Sequence, residues 1–262
     1  GALGHLRRAA RRAAFAALAA LLALAPAAAG DPPARGWEPG RVHVGRVDYA
    51  GAIEIERDGK SAVLWLSGVD AVSRHDGPLA TRAVEAVVEW LAVGEPSLLS
   101  PEPRERGGLA GVLRLGDGTL LNEKLISNGY ALLDPETAGE SYERQLRTAQ
   151  QFAYRNRRGL WGEQIKFADS LPPVRNQFAT VCGELGPIRV QGKGGRDHYH
   201  LGGDYPRHFL TIEVRPELRA ATAPVLRTGK QICVVGRLET RDIVPAVVVN
   251  DATQVRERAA KK

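Results

Sequence analysis

The sequence predicts a mainly β protein made of two tandem OB-like five-stranded barrels behind an N-terminal apolar helix. Short runs of alternating apolar residues recur through residues 41–115 and again through 178–249, the period expected of half-buried strands. Leu171-Pro172-Pro173 separates the two sets, as a boundary between units would. In each set a helical stretch follows the third strand, which is where an OB barrel carries its helix.

The elements follow in order. Arg41–Asp48 alternates through Val42, Val44 and Val47, Ala52–Glu56 through Ile53 and Ile55, and Ser61–Val69 through Val63 and Trp65. Asp58-Gly59 between the last two is a hairpin signal. From Pro78 to Val93, Leu79, Ala83, Val87 and Trp90 share one helical face, with Asp76 as N-cap and Gly94 as stop. Strands are expected at Ser97–Ser100 and Leu109–Leu115, then helices at Leu120–Asn128 and Glu140–Arg157, closed by Gly129 and Gly159. The second unit offers strands at Phe178–Leu185, His198–Leu201, Phe209–Val214, Gln231–Leu238 and Val244–Val249, and a helix at Glu217–Leu226. The expected domains are therefore 41–166 and 171–256, with a Pro/Gly-rich linker at 31–40 and a basic tail at 257–262.

The formal charge of +6 is unevenly placed. Residues 1–30 hold Arg7, Arg8, Arg11 and Arg12 and no acid. Residues 31–166 hold 17 Lys/Arg against 20 Asp/Glu, and residues 167–262 hold 15 against 10. A first barrel with an acidic surplus is a poor polyanion binder, so nucleic acid is not its expected partner.

The four arginines precede the apolar stretch Ala13–Ala29, which closes on Ala27-Ala28-Ala29 before Gly30. A charged region, an apolar core and a small-residue cleavage site make an export signal. Retained, the stretch would anchor the chain through residues 6–29 with its N-terminus in the cytoplasm. Its 17 residues span about 26 Å, short of a bilayer core of about 30 Å. Cleaved, it would leave a periplasmic or secreted protein; both readings put the barrels outside the cytoplasm. There Cys182 and Cys233, the only cysteines, are disulfide candidates. They lie on the first and fourth strands of the second barrel, which are antiparallel neighbours in an OB fold.

Several local pieces between Arg41 and Trp161 carry a resemblance. Leu66-Ser67-Gly68-Val69-Asp70-Ala71 matches a Leu-x-Gly-Ile-Asp-Ala segment. Leu109-Ala110, Leu113, Asp117-Gly118, Leu121-Asn122, Leu125 and Gly129 follow in a matching order. Tyr142, Ala149 and Gly159-Leu160-Trp161 match a last helix and its close. Together they resemble the thermonuclease (staphylococcal nuclease) family, an OB barrel with added helices. The unit after residue 171 is similar to the barrel that follows such domains in some exported bacterial relatives, through Tyr199–Asp204, Phe209 and Gly229–Leu238.

That resemblance implies where nuclease chemistry would sit. Carboxylates hold calcium, a Glu activates water, and two arginines clamp the phosphate. Of those five charged positions only Asp70 keeps its charge. Gly51 stands at an acidic ligand, Trp65 at the first arginine, Ser73 at the general base and Gly107 at the second arginine. Arg106, Arg74 and Asp76 lie nearby but out of register. The implied domain has no catalytic residue, metal or cofactor. Asp70 is expected to cap a turn, and Trp65 to fill the phosphate pocket with apolar surface.

Other groups are weaker. His198, His200 and His208 fall on neighbouring strands and are the only zinc candidates, but no Cys or carboxylate completes the set, and a solvated hairpin face is expected instead. Arg155, Arg157 and Arg158 suit the negative end of a helix dipole. The expected function is a non-catalytic, membrane-tethered accessory subunit with a protein partner in an inner-membrane assembly, such as a respiratory complex. The alternative is a weak secreted nuclease or a single-stranded nucleic-acid binder, with Tyr199, Tyr205, His208 and Phe209 as stacking groups.

Overall fold

A computed structural model describes residues 36–162, 164–171, 176–191, 195–240 and 243–258. The expected leader at 1–30, half of the linker and most of the tail lie outside the described residues. Among those described, no helix is long and apolar enough to cross a membrane.

The first unit contains β1 (Gly40–Arg41), β2 (His43–Val44), β3 (Ala52–Arg57), β4 (Lys60–Leu66), β5 (Val69–Ala71), β6 (Ser97–Pro103), β7 (Leu109–Arg114) and β8 (Ala131–Leu133). Six of them form one sheet in the order β1-β6-β7-β4-β3-β2, and β5 pairs with β8. The single strand expected at Arg41–Asp48 is two short ones, because the segment changes partners. Arg41 pairs with Ser97 of β6, while Val44 pairs with Ile55 of β3. That switch closes the sheet into a barrel. Four helices surround it: α1 (Pro78–Leu91), α2 (Leu121–Ser127), α3 (Pro135–Ala138) and α4 (Glu140–Arg155). Ile53, Ile55 and Leu64 meet Leu79 and Val87 of α1, Leu125 of α2 and Leu146 of α4 in one core. The N-cap of α1 is Gly77, not Asp76, whose carboxylate serves elsewhere.

The second unit contains β9 (Ile165–Phe167), β10 (Gln177–Gln191), β11 (Asp197–Leu201), β12 (Leu210–Val214), β13 (Gln231–Thr240), β14 (Pro245–Val249) and β15 (Val255–Glu257). Its sheet runs β15-β13-β14-β12-β11-β10-β9 and closes through β13 and β10. Both barrels join third strand to fifth in parallel, β4 with β7 and β12 with β14. The helix expected at Glu217–Leu226 is shorter: a 3-10 turn at Pro216–Leu218, then α5 (Arg219–Thr222). Pro224 follows the C-cap Ala223 and disfavours further helix. β9 and β15 were not anticipated, since three residues carry no readable period. β9 runs parallel to β10, so residues expected to end the first domain lie along the second barrel. Glu257, expected to open the tail, ends β15.

Alternation along β10 and β13 decides what the barrels share. Ala179 and Val181, with Ile232 and Val234, point into the second core. Phe178, Thr180 and Cys182, with Cys233, Val235 and Arg237, therefore point outward. Phe178 and Val235 belong to the first barrel's core cluster, so the two barrels are packed together. On the same outward face Cys182 and Cys233 are directly opposed and disulfide-bonded, with Cα atoms 4.0 Å apart.

Candidate functional site

Asp70 lies in β5, two residues past Gly68. Gly68 has φ +76°, and a Cβ there would meet the Leu146 side chain at 2.5 Å, so only glycine makes this turn. The buried Asn122 of α2 holds the same loop. Its Nδ2 donates to the Ser67 carbonyl at 2.7 Å, and its Oδ1 accepts from Leu113 N at 3.1 Å.

Tyr49 governs the neighbouring space. Its hydroxyl donates to the Ala71 carbonyl at 2.8 Å, and burial pushes the phenol up to about 12, which keeps it a donor. A Cβ on Gly51 would lie 2.8 Å from the Tyr49 ring and 3.0 Å from the Ala71 methyl. The ring thus fills the volume beside position 51 that a larger side chain would need. Trp65 stands between Ala52 and Ala110 on the adjacent strands, its ring 6.1 Å from that of Tyr49. It is 38% exposed and carries the Arg104 guanidinium 4.4 Å above its face. Trp65 is therefore a cation-covered surface ring rather than the pocket filler expected.

Ser73 caps the turn Arg74–Asp76. Its N–H donates to Asp76 Oδ2 at 2.6 Å, and its hydroxyl reaches the same oxygen at 3.2 Å. Gly107, at φ +87°, sits in the turn between β6 and β7 and donates its N–H to the Arg104 carbonyl at 3.1 Å. Arg106, in that same turn, is exposed.

The carboxylate of Asp70 does not cap its turn. Arg237 of β13, 167 residues away, takes it: Nη2 lies 2.7 Å and Nε 3.0 Å from Oδ1. A further N–H from Nη2 reaches the Ala71 carbonyl at 2.7 Å. Burial pushes the Asp70 carboxyl up, against the opposing pull of Arg237. Arg237 also lies 4.3 Å over the ring of Phe178, its cross-strand partner. Phe178 N in turn donates to Asp76 Oδ1 at 2.6 Å, so both Asp76 oxygens are used. Sequence reasoning missed Arg237 altogether, and no local signal marks it. Further contacts extend the seam. Gln150 joins Leu133 N at 2.7 Å to Thr253 Oγ1 at 3.0 Å, Arg147 pairs with Asp251, and Arg215 reaches Glu136 at 2.6 Å.

Residues 66–163 match the family model described as staphylococcal nuclease homologue. The first barrel is a staphylococcal-nuclease-like domain. Asp70, Ser73 and Gly107 fall inside the match, while Gly51, Trp65 and the whole second barrel fall outside it. A search of curated proteins finds no match to the chain.

The second barrel holds the histidines. The rings of His200 and His208 are 4.2 Å apart, with Tyr205 5.3 and 5.8 Å from them. His208 Nε2 meets Thr211 Oγ1 at 2.8 Å, and burial, then His200, pushes its pKa down to about 4. Contrary to the solvated face expected, both rings are buried. Among the described residues no three His, Cys, Asp or Glu side chains are grouped to hold a metal, so His198 does not complete a set with them. Tyr205 and Phe209 are exposed, 59% and 44%.

Proposed function

We propose that this chain is a non-catalytic interaction protein built on a nuclease fold. The observation that carries this reading is the pairing of Asp70 with Arg237. The one acidic position retained from the family pattern serves as the anchor of the second barrel, and calcium would have to displace a guanidinium bound through two nitrogens to reach it. Gly51, Trp65, Ser73 and Gly107 supply no replacement ligand, base or clamp. Purified protein with calcium is expected to leave single-stranded DNA and RNA intact. Calcium-dependent cleavage that disappears in Asp70→Asn would overturn the reading.

The leader and the disulfide support export, since buried cystines persist in oxidising compartments. With the leader retained, the barrels sit on the periplasmic side of the inner membrane as an accessory subunit of a protein assembly. Tethering raises their concentration near a partner, so modest contacts suffice. Extraction from membranes in mild detergent should bring that assembly down with the chain. A mature N-terminus at Gly30 in the soluble periplasmic fraction would end the tethered form of the proposal.

The exposed Tyr205 and Phe209 favour the second reading, single-stranded nucleic-acid binding. Saturable binding of labelled oligonucleotide that is lost in Phe209→Ala would establish it.

A further inference from the structure

A cleft of about 270 Å³ opens at the seam between the barrels. The first barrel contributes His75, Leu79 and Leu160, and the second contributes Lys166, Gln177 and Thr180. Its size is close to the lower end for ligand pockets, about 300 Å³, which fits a molecule of metabolite size. The junction of two packed units is a common place for such a site.

Thr180 is the decisive group. It shares the outward face of β10 with Phe178, so its side chain is directed at the seam and not at the second core. The residue is 1% exposed, and its hydroxyl finds no hydrogen-bond partner among the described residues. Valine would satisfy the strand's preference for a β-branched residue without leaving a buried polar atom unpaired. A hydroxyl in this position calls for a partner from outside the chain.

The surrounding chemistry selects that partner. Asp76 also lines the cleft, but Ser73 and Phe178 already occupy both of its oxygens. Gln164 and Gln177 line it with amide groups that have no protein partner among the described residues. Lys166 has no carboxylate within salt-bridge distance among them either. Leu79, Leu160 and Phe178 make the apolar walls. Thr180 and Lys166 thus present a hydroxyl and an ammonium without a partner among the described residues, while the one carboxylate of the lining, Asp76, has both oxygens engaged by backbone N–H groups. We infer that it binds a small organic monocarboxylate, with the carboxylate toward Thr180 and the apolar part against Leu79 and Leu160. Because Phe178 lies at both the cleft and the Asp76 contact, the ligand would tighten the seam.

Thermal unfolding of the full chain tests this, with sodium acetate, butyrate or benzoate compared with butylammonium chloride at equal ionic strength. Carboxylates are expected to raise Tm saturably, and amide NMR spectra should move at Gln164 and Gln177 over the same concentrations. Thr180→Val should weaken binding at least tenfold without lowering the Tm of the ligand-free protein, and Thr180→Ser should keep it. Absence of a saturable shift with every carboxylate would show a cleft that holds water only and would overturn the inference. So would equal binding by Thr180→Val, or equal binding of the ammonium salt.

Discussion

The two barrels share a strand order but differ in how their first strand is held to their fourth. In the first, β1 meets β6 through Gly40–Leu98 and Arg41–Ser97 before the chain leaves for β3. In the second, β10 meets β13 from Gln177–Leu238 through Glu184–Gln231, with a disulfide inside that stretch. The long, stapled pair also presents Phe178 and Arg237 to the first barrel. Cys182 is four residues from Phe178, and Cys233 four from Arg237. The stapled strand pair lies in the barrel that supplies the clamp, and Asp70 lies in the barrel that receives it.

Removing the staple should have the largest effect. The bond spans 51 residues of chain, and constraining a loop of that length is worth about 4 kcal/mol in the chain-entropy model. Cys182→Ser with Cys233→Ser should lose about that much in urea unfolding. Hydrogen exchange should place the loss in β10 and β13 and leave β3 and β4 protected. Equal loss in both barrels would mean that the staple does not distinguish them.

Breaking the clamp comes next. Arg237→Ala leaves Asp70 facing a packed seam without its counter-charge, which costs about 3 kcal/mol when one partner of a buried pair is removed. Asp70→Asn with Arg237→Gln should cost less than the sum of the single changes, because the two groups are in direct contact. Additive losses would show that the pair contributes through packing alone.

A third test stays within the second barrel. His208 faces His200, Tyr205 and Thr211, and its pKa is lowered to about 4 from 6.5. The unfolded chain therefore takes up a proton between those values while the folded one does not. Stability from this group is complete above about pH 6.5 and falls as pH drops toward 4, by on the order of 1–2 kcal/mol after screening. His208→Gln should flatten that slope in urea titrations across the window, and an unchanged slope would assign it to other groups.

Much of the architecture was legible because alternation and glycine stops are local. Ile53 and Ile55, Leu79 and Val87, and Ile232 and Val234 all face the cores that their periods imply. The fate of the site was not legible. Sequence places Asp70 in a turn, and its partner lies on another barrel beyond the reach of any period or motif. Asp76 misled for a different reason: a carboxylate before a helix is an ordinary N-cap, but its two oxygens accept from two directions. Here they take Ser73 N in one barrel and Phe178 N in the other.

The smallest expected effect separates burial from charge along one seam. Glu136 accepts from Arg215 Nη2 at 2.6 Å, as short as any Asp70–Arg237 distance, and again joins carboxylate to guanidinium across the barrels. Its side chain is 58% exposed, whereas that of Asp70 is 33% exposed and faces an arginine only 12% exposed. Water and salt compete for Glu136, so Glu136→Gln should cost at most about 1 kcal/mol. Raising sodium chloride from about 0.05 M to about 0.5 M should erase most of that cost while changing the Asp70→Asn cost little, since screening acts on exposed charges first. Urea unfolding of both variants at both salt concentrations makes the comparison directly. Equal costs for the two variants, or equal salt sensitivity, would mean that the Asp70 contact is one ion pair among several and not the anchor of the second barrel.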